Sequence, residues 1–128
     1  MQLKVPVSVG EVLDKITILQ IKLAHISDAA KRANIHNELD ALLPLVAGDS
    51  FTTDQMQALM AELKSVNEAL WDIEDDIREK EAAKSFDAEF IRLARAVYVT
   101  NDKRAEIKKQ MNLATGSALI EEKSYESY

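Results

Sequence analysis

The run MQALMAELKSVNEALWDIEDDI, residues 56–77, decides the fold. Met56, Leu59, Leu63, Val66, Leu70, Ile73 and Ile77 recur in alternating steps of three and four, which sets them in one stripe along a helix. Such a stripe is a coiled-coil-like seam for packing against another helix at a shallow angle. The register continues in polar form to about Ala83, so the spacing predicts a helix of about 30 residues, about 45 Å long at 1.5 Å per residue. Upstream, Thr52 and Gln55 have capping-box spacing, with Phe51 placed to staple onto Met56. Downstream, Phe86 and Asp87 read as the staple and N-cap of a fourth helix through Phe90, Leu93, Ala94, Val97 and Tyr98 to Met111, stopping near Gly116. The short link between the two makes them an antiparallel hairpin.

Two shorter helices precede the hairpin. Ser8 and Glu11 form a capping box ahead of Val9, Val12, Leu13, Ile16, Leu19, Leu23 and Ile26, while Ile18 and Ile21 add a second apolar flank, so this helix is expected to be buried on more than one side. Ser27 or Asp28 caps the next helix, through Ala33, Leu39, Leu42, Leu43 and Val46, with Pro44 kinking or fraying its end. Residues 47–51 read as a loop. The expected architecture is all-α: two shorter N-terminal helices packed on a long antiparallel helical hairpin, bundle-like, in one domain spanning residues 1–128. Residues 117–128, polar apart from Leu119 and Ile120, should pack at most at their beginning.

Composition narrows the function. Without cysteine there are no disulfides, no thiol nucleophile and no zinc-thiolate site, which fits a reducing compartment and makes the cytoplasm the expected location. No apolar run reaches the roughly 18 residues of a membrane span, and residues 1–7 do not have the form of a signal peptide. A net charge of −6 disfavours nucleic acid and anionic membranes as partners, since both need a basic surface to displace counterions. Gly10, Gly48 and Gly116 are isolated, so no phosphate loop exists, and no serine has a histidine and acid in recognisable nucleophilic order.

Chemistry concentrates inside the hairpin. With the turn near Ser85 as midpoint, Asn67, Glu68 and Trp71 lie opposite Tyr98, Asn101, Asp102 and Arg104. The inward stripe of the fourth helix then continues through Asn101, Arg104 and Lys108, whose charges need carboxylates such as Glu62 or Glu68, or an anionic ligand. One expectation is an internal ion-pair network that fixes helix register. The other is an anion pocket: Arg104 as bidentate donor, Lys108 as point charge, Asn101 as orienting amide, and Trp71 or Tyr98 as stacking wall. Asp72, Asp75, Asp76 and Glu79 share one face at the spacing that holds magnesium in all-α nucleotide pyrophosphohydrolases. No matching Glu-x-x-Asp pair appears on the fourth helix, where Asp102 stands without an acidic neighbour, so a solvated acidic face competes with a metal site. His25 and His36 approach one another near a turn but lack a third ligand.

The stretches 10–19 (GEVLDKITIL), 66–78 (VNEALWDIEDDIR), 96–104 (AVYVTNDKR) and 116–125 (GSALIEEKSY) resemble a small bacterial family catalogued only as a domain of unknown function. The resemblance covers nearly the whole chain and carries no activity or catalytic residue. It falls on polar residues of the cluster and on Glu121, Glu122, Lys123 and Tyr125, implying that the tail folds back onto the bundle. Two functions are therefore expected as alternatives. The first is a non-enzymatic, self-associating helical module: a homodimer whose second copy covers the part of the hairpin that outruns the shorter helices, with no cofactor. The second is a small-anion or nucleotide-binding protein, conceivably a magnesium-dependent nucleotide hydrolase.

Overall fold

The computed structural model describes all 128 residues as four helices: α1 (Val9–His25), α2 (Ala29–Leu42), α3 (Asp54–Ala82) and α4 (Ala88–Thr115). Short 3-10 turns at Leu43–Val46 and Asp49–Phe51 link α2 to α3, and Pro44 stands at the start of the first, where its missing N–H costs nothing. Side-chain oxygens of Ser8, Asp28 and Asp87 accept from the backbone N–H three residues on, as their spacing predicts. Gly116 ends α4 in the left-handed conformation. The α3 cap is displaced by one residue. Thr53, not Thr52, accepts from Met56 N, while Gln57 donates to the Thr52 carbonyl.

α3 and α4 pack most extensively, confirming the antiparallel hairpin. Lys80 and Asp87 pair at 2.9 Å across its turn. The N–H of Phe90 and the Lys80 ammonium both hold the Asp87 carboxyl down at about 2. α1 lies against both arms of the hairpin, and α2 packs on α1. Leu13 joins Met56, Leu59, Leu63, Ile107 and Met111 in one core cluster, whereas Ile16 and Leu19 meet Ile35 and Leu39 of α2 in another. Each such side chain contributes about 1.5–3 kcal/mol of transfer free energy, so the predicted two-sided burial of α1 is the main cement between the layers. Arg32 seals the α1–α2 turn by donating to the carbonyls of Leu23 and Ile26.

Gly10 is where α1 comes closest to α4. A Cβ there would stand 2.6 Å from the Lys108 carbonyl oxygen, and its N–H donates to Asn112 Oδ1 at 2.6 Å. At the other end of α1, His25 stacks on Trp71, ring centroids 4.7 Å apart. Beyond Trp71, α3 runs on to Ala82, about 16 Å at 1.5 Å per residue, past the end of α1. Residues 117–128 have no regular structure but return along α4, where Ser117 Oγ accepts from Val9 N and Tyr128 packs edge-on against Tyr98. No helix is long and apolar enough to cross a membrane.

Candidate functional site

α1 carries polar residues inward at Glu11, next to Gly10, and at Asp14 and Thr17, one and two helical turns beyond it. Because Gly10 brings the helices so close, these side chains meet α3 and α4 directly. Asn67, buried, donates to Asp14 Oδ1 and to Thr17 Oγ1, both at 2.9 Å, and Thr17 donates to the Asp14 carbonyl. Lys108, its side chain only 11% exposed, pairs with Glu11 at 2.8 Å, Glu121 at 3.5 Å and Asp14 at 3.7 Å. Burial would lower its pKa, yet the Glu11 hydrogen bond and the charges of Asp14, Glu11 and Glu121 prevail and raise it. Glu11 is correspondingly lowered, first by the Lys108 hydrogen bond and least by the charge of Arg104.

These partners correct the expected ones. Lys108 does not meet Glu62 or Glu68 of α3, because α1 fills the crease of the hairpin and its acids arrive first. Glu68 is exposed, and Glu62 lies with Lys103 in a separate groove between α3 and α4. Asn67 gives its amide N–H groups to α1, yet it also lines one cavity with Trp71, Asn101 and Arg104. Asp14, Thr17, Glu11 and Asn112 escaped sequence reasoning, although Gly10, Asp14 and Thr17 stand at helical spacing on a helix apolar along both flanks.

One helical turn before Lys108, the arrangement changes. Arg104 and Asn101, both half-buried, form a ridge shared by two cavities. The inner one, about 430 Å³, is walled by Trp71, Ile18 and Leu70 and rimmed by Glu74, Asp75 and Arg78. The outer one, about 530 Å³, is walled on one side by Lys123, Tyr125, Glu126 and Tyr128 of the returning segment. Arg104 has no carboxylate oxygen within 4.0 Å and makes no hydrogen bond. Arg78 is paired with Glu74, whereas Asp102 accepts from the Tyr128 hydroxyl. Trp71, Asn101 and Arg104 thus share the inner cavity, and Tyr98 and Asp102 belong to the outer one.

The acidic run divides between places. Asp75 opens onto the inner cavity, Asp76 and Glu79 onto a groove near the hairpin turn with Glu89 and Lys80, and Asp72 is exposed. No three His, Asp or Glu side chains are clustered to hold a metal ion. His25 stacks on Trp71 and His36 is exposed on α2.

The sequence profile of a family described as Family of unknown function (DUF6165) matches residues 3–128. Comparison with curated proteins and with solved structures finds no match. Since that profile takes in all four helices and the returning segment, the chain belongs to this family of unknown function.

Proposed function

We propose that this protein binds a small anion at Arg104, in the cavity that Trp71 and Asn101 wall between α1, α3 and α4. The supporting observation is the contrast between two cations one turn apart on α4. Lys108 has three carboxylates within 4.0 Å and Arg104 has none that close, although Glu11 feels its charge and Glu74 and Asp75 rim the same cavity. A half-buried guanidinium without a partner offers a planar fork of donors suited to phosphate or carboxylate. Asn101 adds an amide beside it, Trp71 a flat wall backed by His25, and Glu74 with Asp75 acceptors for hydroxyl or ammonium groups on the same ligand.

Trp71 is the chain's single tryptophan and reports on this cavity alone. Phosphate, sulfate and small carboxylates should raise the melting temperature by mass action and change Trp71 emission. Arg104→Met should abolish both effects while leaving the fold intact, because Arg104 has no internal partner to lose. Equal responses from wild type and Arg104→Met would reject the proposal.

Self-association is the second reading, supported by the part of the hairpin that α1 leaves uncovered. There Phe86 and Ile91 are 56% and 57% exposed, and Ile73 and Ile77 only half-buried. A second copy laid along this half would cover them.

A further inference from the structure

The outer cavity shares Arg104 but has its own walls. Residues 117–128 leave the Gly116 cap, are tied to α4 by Lys108–Glu121 and Lys109–Glu122 at 3.5 and 3.6 Å, and arrive where Tyr128 meets Tyr98 at 5.2 Å between ring centroids and donates to Asp102. The open groove between this segment and α4 brings together Arg104, Lys123, Asp102, Glu126 and all three tyrosines of the chain, Tyr98, Tyr125 and Tyr128. Lys123 has no carboxylate within 4.0 Å and lies 5.9 Å over the Tyr125 ring.

We infer that this groove binds a phosphate monoester carrying a flat ring and hydroxyls, a nucleoside monophosphate in chemical class. The inference rests on the reading of Arg104 as the anion anchor and seats the phosphate on its outer side, facing Lys123, with the rest of the ligand in the groove. Two cations without internal partners, one a fork and one a point charge, suit a group bearing about −1.5 to −2 charges and three acceptor oxygens, whereas Arg104 alone would satisfy a carboxylate. The tyrosine rings offer faces and edges to a planar base, a contact that tolerates any base because each has a π face. Glu126 and Asn101 are placed to bond sugar hydroxyls. A volume of about 530 Å³ lies within the range that encloses compounds of this size. Because Lys123 and two of the tyrosines sit on the returning segment, that segment forms one wall of the site.

Calorimetric titration of the full chain with AMP, ribose 5-phosphate and inorganic phosphate tests this directly. Wild type should bind AMP at least tenfold more tightly than inorganic phosphate. Lys123→Met, at an exposed position whose loss leaves the melting temperature unchanged, should weaken AMP at least tenfold, and Tyr98→Leu should weaken AMP more than inorganic phosphate. If AMP and inorganic phosphate bind equally, or Lys123→Met leaves AMP affinity unchanged while Arg104→Met abolishes it, the groove site is overturned and the Arg104 anion site stands. If no phosphate compound binds wild type, the Arg104 reading falls as well.

Discussion

Gly10→Ala probes the closest approach in the molecule. The new Cβ would sit 2.6 Å from the Lys108 carbonyl oxygen, where ordinary contact begins at 3.4 Å, so α1 must recede from α4 by about 0.8 Å. The obstacle is helix backbone, which cannot rotate aside. Recession stretches two hydrogen bonds of the first turn, Gly10 N to Asn112 Oδ1 and Val9 N to Ser117 Oγ, each worth about 0.5–1.5 kcal/mol net. Loosening of the core cluster that Leu13 and Met111 share adds about 1–3 kcal/mol, while replacing a helical glycine by alanine returns up to about 1 kcal/mol. These ranges sum to a loss of about 1–6 kcal/mol; the middle value of about 3 kcal/mol corresponds to about 9–15 °C in melting temperature for a chain of this length. Gly48→Ala is the internal control: φ is −77° there and nothing lies within 4 Å, so the change should be neutral or stabilising by less than about 1 kcal/mol. Thermal unfolding followed by circular dichroism separates the two variants. A Gly10→Ala protein melting within a degree of wild type would show that α1 does not pack against α4 as described.

Lys108→Met should be among the most destabilising single changes in the chain, since it strips the buried Asp14 and the half-exposed Glu11 and Glu121 of their cation. Breaking a buried pair this way costs about 3–5 kcal/mol, with the partly exposed acids keeping the value toward the lower bound. The deficit depends on pH. Glu11 has a lowered pKa in the folded state, so its contribution is present above its ordinary value of 4.5 and fades as pH falls through the lowered one. Lys108, with a raised pKa, contributes fully below 10.5 and loses that contribution as pH rises through its folded value. Urea midpoints of wild type and variant should therefore differ most between about pH 5 and 10 and converge in acid; a pH-independent gap would contradict the cluster. For the uncovered hairpin half, Ile91→Lys should turn a dimer into a monomer by light scattering at micromolar concentration without lowering stability, because Ile91 is already exposed. A wild-type protein that is monomeric there would end the self-association reading.

The fold was legible because its determinants are local and repeated. The α3 seam runs seven apolar positions without a break, and Ser8, Asp28, Asp87 and Gly116 mark boundaries through chemistry their immediate neighbours fix. Two boundaries differ: α2 ends at Leu42, ahead of the expected Val46, because Pro44 turns the chain into a 3-10 segment, and Thr53 replaces Thr52 as cap where two adjacent threonines both sit three residues before a plausible N3 position. The polar interior was less legible. Reasoning from a two-helix hairpin finds partners for Lys108 only on α3, whereas the acids that hold it come from α1, 97 and 94 residues earlier in the chain, and from Glu121 of the returning segment. Burial of Asp14 could not be inferred from α1 alone, since a polar residue between two apolar flanks looks the same on a solvated helix. What could be inferred was that Arg104 and Lys108 lie inward; that they have different environments required the third helix.

That difference traces to three positions on one face of α1. Glu11, Asp14 and Ile18 follow one another at steps of three and four, and Lys108 and Arg104 answer them on α4 in the opposite direction. The first two positions carry acids, and both reach Lys108. The third, which lines the cavity beside Arg104, carries an isoleucine. Had an acid stood there, the polar layer would have closed on itself and the cavity would have held an internal ion pair. With Ile18 in that place, α1 compensates the lower cation and supplies the upper one with only an apolar wall. The register-fixing network therefore has its place on one turn of these helices, a saturated layer around Lys108 that sets the position of α1, and the proposed anion site lies on the turn above it, at a guanidinium with no carboxylate oxygen within 4.0 Å.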